Sequence, residues 1–404
     1  MPADTLFHRI TDYASRPDPY PLYAELREAG VARQEDGSYL VGTYHEVEAL
    51  LHDPRISSDR RNRIPPEEPG GGLPPSFIGL DDPEHHRLRG LAMHSFGPPH
   101  TPGRVDALQG EMSRIVADLI AGLRDKDRID IVDDFAYPLP VAVICRLLGV
   151  PTEDEPQFRE WSNAIVAGFD PTPGEDPADR ERAAAEARKA MGLYLGGLAE
   201  RRRTEPSDDM LSAFVGGDGS GGQLTQLEIM ATSVLLLIAG HETTVNLITN
   251  GVLTLLRYPS QLERLRQDPA LMPRAVEELL RYEPPVQLLP QRTPLADIEV
   301  AGVTVPKGAP LILVLAAANR DPRRFTDPDH FDPGRQDIQH LGFGSGIHSC
   351  FGAPMARLEA QIALTELIRH LDGPRLVEDP PPYRRSPVLR GPRHLLITHD
   401  RAGA

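Results

Sequence analysis

The chain has 404 residues, with 40% hydrophobic and 25% charged positions, enough for one large core or two ordinary domains of a globular protein. Its 59 acidic residues outweigh 43 basic ones, and the net charge of −16 argues against nucleic acid or an anionic membrane as main partner. Two cysteines, Cys145 and Cys350, cannot build a disulfide framework, Met1 to Tyr23 has no apolar core flanked by basic residues, and the longest apolar run, Val234 to Ala239, falls far short of the ~20 residues that span a bilayer, so a cytoplasmic protein without a membrane segment is expected.

Asp18 to Ala29 reads as a short helix stopped by Gly30, Ser38 to Val41 as a strand, and Tyr44 to His52 as a helix, which suggests a β-rich N-terminal lobe. Pro65 to Pro75 is too rich in proline and glycine for a regular element and is either a solvated linker or a lid. Asp82 to Phe96 reads as a helix with Pro83 in its first turn, and its His85 and Arg89 share a face. Arg104 to Leu123 and Asp133 to Leu148 are predicted amphipathic helices, the second stopped by Gly149 and Pro151. Glu155 to Gly168 and Ala178 to Thr204 follow as helices, and the break Phe169 to Pro177 is a second candidate lid; Gly216 to Gly222 is a flexible turn.

A long helix comes next. Thr225 and Glu228 form a capping-box signature, and no proline interrupts the chain until Pro259. Such a helix spans on the order of 50 Å. Its apolar run from Ile229 to Ile238 places it in the core. Leu265 to Tyr282 is predicted helical with a break near Pro273, and Pro284 and Pro285 end it. Val286 to Ile312 alternates apolar and polar residues as β hairpins do. Asn319 to Arg335 is irregular and rich in ions, Ala353 to Leu371 reads as the final helix, and Pro374 to His399 returns as short strands. Helices dominate, with minor sheets gathered at one side, and no internal repeat occurs.

Two stretches carry chemistry. Ala239-Gly-His-Glu-Thr-Thr244 interrupts the apolar helix, and burying Glu242 and Thr243 without partners would cost several kcal/mol. Thr243 bonding back to a carbonyl would explain a kink. An acid and an alcohol set to pass protons to a reactive oxygen would explain both residues. The second stretch, Phe343 to Gly352, sets Cys350 between a glycine-rich turn and a helix N-terminus, where the helix dipole and free N–H groups favour a metal-binding thiolate. A buried, inert thiol is the plainer alternative.

The full pattern Phe-Gly-x-Gly-x-His-x-Cys-x-Gly resembles the haem-ligand loop of the cytochrome P-450 family. Ala239 to Thr244 resembles that family's oxygen-handling motif, and Glu278 with Arg281 its Glu-x-x-Arg pair. The resemblance covers essentially the whole chain. It implies a mainly α fold with a smaller β region, a single domain over residues 1–404, and haem b between the long helix and the final one. Cys350 would ligate the iron. His85, Arg89, Arg292 and His348 would meet the propionates, and Phe343, Gly344, Ala239 and Gly240 would pack against the cofactor. The helix of His85 and Arg89 departs from the family at Gly90, where Arg is frequent.

Glu242 is assigned proton relay, Thr243 oxygen handling, and Glu278, Arg281 and Arg335 a structural network. Leu235, Leu236, Val286, Gln287, Leu288, Leu289, Val388 and Leu389 are expected to line a substrate pocket suited to a terpenoid, steroid, polyketide or aromatic. The implied reaction is hydroxylation or epoxidation with O2 in secondary metabolism. Oxidative coupling or ring closure, peroxide-driven oxidation and a non-catalytic haem protein are the alternatives. With no flavin or iron–sulfur segment in the chain, electrons from NAD(P)H are expected through a ferredoxin and its reductase. Their docking patch would include Arg87, Arg104 or Arg357 on a monomeric protein.

Overall fold

The computed structural model describes residues 5–66, 73–96, 104–168, 176–217 and 222–400. Most of both candidate lids, and the centre of the Gly216 to Gly222 turn, lie outside the described residues.

In chain order the elements are helices α1 (Leu6–Thr11) and α2 (Tyr20–Ala29), strands β1 (Val31–Arg33) and β2 (Tyr39–Val41), α3 (Tyr44–His52), β3 (Ile56–Ser57) and α4 (Glu84–Phe96). There follow α5 (Arg104–Ala107), α6 (Gln109–Ala121), β4 (Arg128–Asp130), α7 (Pro138–Leu148), α8 (Glu155–Ala167), α9 (Pro177–Arg202) and α10 (Met210–Gly216). The long helix is α11 (Gln226–Arg257), followed by α12 (Pro259–Gln267), α13 (Met272–Tyr282), β5 (Leu289–Pro294), β6 (Ile298–Val300), β7 (Val303–Val305) and β8 (Leu311–Leu313). Last come α14 (Leu315–Ala318), α15 (Ala353–His370), β9 (Asp372–Leu376) and β10 (Leu396–Asp400).

Local chemistry sets the helix ends. The Thr225 hydroxyl accepts from the Glu228 N–H while the Glu228 carboxylate accepts from the Thr225 N–H at 2.8 Å, closing the capping box of α11. Gly149 ends α7 in the left-handed region, φ 77°. Three expectations shift. Arg104 to Leu123 divides at Leu108 into α5 and α6. Asp133 to Leu148 becomes helical in the α sense only from Pro138, after a wide turn over Val132–Ala136, because a proline inside a helix clashes with the carbonyl one turn earlier. The break before α13 falls at Asp268, held extended (φ −130°) by the following Pro269, whereas Pro273 sits in α13's first turn.

α11 runs through the helical core and packs against α7, α8, α9, α13 and α15. Its length and composition would suffice to cross a membrane, but most of it is buried against these neighbours. The main sheet has the order β1-β2-β8-β5-β3, with β2 and β8 parallel and the other pairs antiparallel. The expected N-terminal lobe is therefore not built from N-terminal strands alone, since residues 289–313 supply the centre of its sheet. β4, β10 and β9 form a second sheet, and β6 and β7 a hairpin.

Candidate active site

Between α11 and the Cys350 loop lies a cavity enclosing about 1440 Å³ of atom-free space, part of it continuous with solvent. Leu235, Leu236, Ala239, Gly240, Thr243 and Thr244 form one wall, and residues 342–345 and 348–352 form the opposite one. Thr243 Oγ1 donates to Ala239 O at 2.7 Å, the back-bond that relieves a hydroxyl inside a helix. Phe343 and Gly344 both line the cavity. Gly344 and Gly346 have φ of 67° and 66°, and the Cys350 N–H donates to Phe343 O at 2.8 Å to close the loop. A Cβ on Gly346 would lie 2.1 Å from the carbonyl oxygen of Leu51 in α3, so this glycine serves the approach of α3 to the loop.

Cys350 sits deep in the molecule yet open on its cavity side. Burial pushes its thiol pKa up. The N–H groups of Gly352 and Ala353 and the charges of Arg89 and Arg357 pull it back, without reversing the direction. The helix N-terminus expected to make a thiolate therefore does not suffice alone; a bonded cation is what would hold the sulfur ionised.

Four nitrogen-bearing side chains crowd the cavity's edge. The rings of His85 and His348 stand 4.3 Å apart. Both ring nitrogens of His348, and Nε2 of His85, are buried without a hydrogen-bond partner among the described residues. Burial, then the neighbouring His85 and Arg292, lower the His348 pKa to about 4, and burial lowers that of His85. Arg89 donates to Ser349 O at 2.7 Å, and burial lowers the pKa of Arg89 and Arg292 alike. Cations and idle donors around one space call for an anion with several acceptor oxygens. The haem implied by the loop motif fits that donor set. Cys350 would hold its iron, Arg89, Arg292, His85 and His348 its carboxylates, and apolar walls its faces.

Glu242 belongs to α11 but does not line the cavity. It is buried, with Oε1 2.6 Å from Arg384 Nε and 3.3 Å from the Asn246 amide nitrogen. His241 beside it is held neutral, its pKa lowered by burial to about 3, with Nε2 3.3 Å from Tyr137 O.

Val286 and Leu289 line the cavity; Gln287, Leu288, Val388 and Leu389 do not. Gln287 turns inward, donating to Pro284 O at 2.6 Å and accepting from the Tyr23 hydroxyl at 2.9 Å. Leu288 and Val388 pack in a separate core with Tyr20 and Leu26. Leu389 bridges Val286 through its backbone. Ile144 and Leu147 of α7, with Ile78 and Leu315, line the cavity instead. A segment with one turn between two extended stretches does not keep a single facing, which local pattern alone cannot show.

Glu278, Arg281 and Arg335 do meet. Arg281 donates to both Glu278 oxygens at 2.7 and 2.8 Å, Arg335 Nε to Oε1 at 3.0 Å, and both arginines reach carbonyls of the 319–335 segment. The three arginines proposed for docking are engaged. Arg87 pairs with Glu228, Arg104 lies 3.4 Å from Asp208, and Arg357 is bidentate to Glu277.

A family model described as Cytochrome P450 matches residues 34–398. The chain is 41% identical over 399 residues to the cytochrome P450 monooxygenase PikC of Streptomyces venezuelae, covering 96% of this chain and 92% of that protein. It is 41% identical over 394 residues to the vitamin D(3) 25-hydroxylase of Pseudonocardia autotrophica, covering 94% of each. The crystal structure of ligand-free CYP164A2 from Mycobacterium smegmatis superposes with a TM-score of 0.86 at 41% identity, over 97% of this chain and 99% of that one.

Proposed function

The chain belongs to the cytochrome P450 family and is a monooxygenase, and on that premise we propose that it inserts one oxygen atom of O2 into an apolar or amphiphilic small molecule, by hydroxylation or epoxidation, in bacterial secondary metabolism. The observation that carries this reading is the wall over the thiol. Leu235, Leu236, Ile144, Val286 and Leu289 offer hydrocarbon, and the polar groups on that side are the threonines of α11. Such a surface recognises a substrate by shape and burial. A relative named as a vitamin D(3) 25-hydroxylase fits a bulky, largely hydrocarbon substrate of that kind.

Haem bound here would supply the activation of dioxygen and the transfer of one of its atoms. The protein's own groups do the rest. Cys350 would hold the iron and donate electron density to it through its sulfur. Arg89, Arg292, His85 and His348 would hold the haem's carboxylates and so orient it. Thr243 presents a hydroxyl to the cavity, and Glu242 on the same helix is the carboxylate that replenishes protons from outside. The apolar walls exclude water while the substrate waits. Electrons are supplied from NAD(P)H through a ferredoxin and its reductase.

Carbon monoxide added to the reduced, haem-loaded protein should give absorption near ~450 nm, from electron donation by a cysteine ligand. Cys350→Ser should lose that band, and its persistence would sink the assignment. Product should form with NADPH, ferredoxin and reductase in excess of that formed with peroxide alone; the reverse outcome would favour the peroxide-driven route. Bulky apolar compounds that perturb the haem spectrum on binding would identify the substrate class.

A further inference from the structure

Glu242, Asn246 and Asn250 are spaced by four on α11 and so share one face, turned away from the cavity wall. A single hairpin near the C-terminal end of the chain docks on all three. Its strands are joined by the Tyr383–Pro392 bridge, by the Arg384 N–H donating to Gly391 O at 3.1 Å, and by the Arg393 N–H donating to Pro382 O at 2.7 Å. Gly391 rests on Asn246 so closely that a Cβ there would lie 2.2 Å from Asn246 Oδ1. Asn250 donates to Arg390 O at 2.9 Å. Arg384 reaches Glu242, with Nε and Oε1 2.6 Å apart and both side chains about 5% exposed or less.

The hairpin is pinned on its other side as well. The Arg390 N–H donates to Pro285 O at 2.8 Å, and the Gln287 N–H to Val388 O at 2.8 Å. The backbone that carries Arg384 is thus held by contacts other than Glu242. At the closest atom pair the contact is one of charge, since the Nε–H is not directed at the oxygen. Asn246 also lies beside Glu242, His241 next to it is neutral, and Tyr137 feels the carboxylate together with Arg384, Arg393 and Arg159.

We infer that Arg384 is a positioning residue for proton delivery, holding the Glu242 carboxylate on the outer face of α11, one residue from the hydroxyl that faces the cavity. The inference rests on the relay role proposed for Glu242. An ionised carboxylate is costly in this interior without a counter-charge. Arg384 supplies it between turnovers. Delivery then consists of Glu242 leaving the guanidinium, taking a proton from the outer side, and passing it toward Thr243. Only a proton moves, and the carboxylate returns to Arg384 as it began.

The experiment compares Arg384→Gln, Arg384→Lys, Glu242→Gln and the Arg384→Gln/Glu242→Gln double variant in the haem-loaded protein. Product formed per electron consumed, and the solvent deuterium isotope effect on turnover, are measured with a substrate found by spectral screening. Arg384→Gln should lower the product fraction roughly tenfold and change the isotope effect, by loss of a placed acid–base group. Spectral affinity for the substrate should stay within about twofold, because Arg384 is outside the cavity wall. Arg384→Lys should recover much of the loss, and Arg384→Gln should add nothing once Glu242 is already Gln. Independently of turnover, the double variant should melt higher than Arg384→Gln by on the order of 5 °C, since it no longer buries a carboxylate that has lost the Arg384 charge. Should Arg384→Gln be too unstable to isolate, Arg384→Met, which keeps the length without the charge, takes its place, and an unchanged isotope effect and product fraction there would overturn the inference. If Glu242→Gln alters both readouts and Arg384→Gln neither, the relay stands and Arg384 is only structural. If Glu242→Gln alters neither, the relay falls and the role of Arg384 falls with it.

Discussion

Glu242 and Glu359 lie in the same helical core, and among the described residues Glu242 has an arginine beside it while Glu359 forms no ion pair. Glu359 of α15 is 2% exposed, its Oε1 has no hydrogen-bond partner among the described residues, and burial alone raises its pKa to about 8. The folded protein therefore holds a proton on this side chain at neutral pH that the unfolded chain, with a carboxyl pKa near 4.5, has released. Folding takes up that proton, so stability falls as pH rises from the unfolded value toward about 8. Glu359→Gln keeps the shape of the neutral acid and removes the titration. Its melting temperature should match the parent's near ~pH 5 and exceed it near ~pH 8, by the equivalent of roughly 2 kcal/mol. A constant difference across that range would mean that the side chain does not titrate as burial requires.

At the scale of elements, the Cys350 loop depends on backbone approaching backbone. Gly346 is in the left-handed region, and a methyl group there would strike the Leu51 carbonyl of α3, which cannot rotate away as a side chain could. Gly346→Ala should therefore displace the loop against α3 and lower the haem-to-protein absorbance ratio severalfold, with a cost of several kcal/mol in stability. Gly90→Ala is the matched control. Gly90 is within α4, a Cβ there meets nothing within 4 Å, and alanine should stabilise the helix by about 0.5–1 kcal/mol with haem content unchanged. Equal haem loss in both variants would place the fault in general stability instead of in the loop's contact with α3.

Across the whole molecule, two adjacent carboxylates of α13 fasten the thiolate side together. Glu278 gathers Arg281 and Arg335, while Glu277 holds Arg357 of α15 at 2.6 Å and His340 ahead of the Cys350 loop at 3.0 Å. Burial opposes ionisation of Glu277, yet His340 and Arg357 outweigh it and hold the pKa down to about 2. The clasp's contribution is thus fully present above the unfolded value near 4.5 and is lost as pH falls from there toward about 2. Glu277→Gln should destabilise the protein by about 1–2 kcal/mol at neutral pH, a figure discounted because Arg357 and Glu277 are partly solvated. The difference from the parent should shrink on acidification into that window, followed by thermal melting with haem release as a second signal. A difference that persists undiminished at the acid end would show that packing, not charge, accounts for Glu277.

Sequence alone was enough for the helical content, the capping box of α11, the Cys350 loop, Ala239 to Thr244 and the Glu278–Arg281 pair. Each is a pattern over a few residues, and helix caps, glycine turns and i,i+3 pairs are fixed by forces that act over that distance. Only the tertiary structure decided the rest. It gave the N-terminal strands β8 as a partner, moved Gln287, Leu288, Val388 and Leu389 out of the cavity wall, and set Arg384 against Glu242. Those outcomes depend on which distant segment fills a given space. Burial raises the cost of every unpaired charge there, so a carboxylate's partner is chosen by the packing of the whole core and not by its neighbours in the chain.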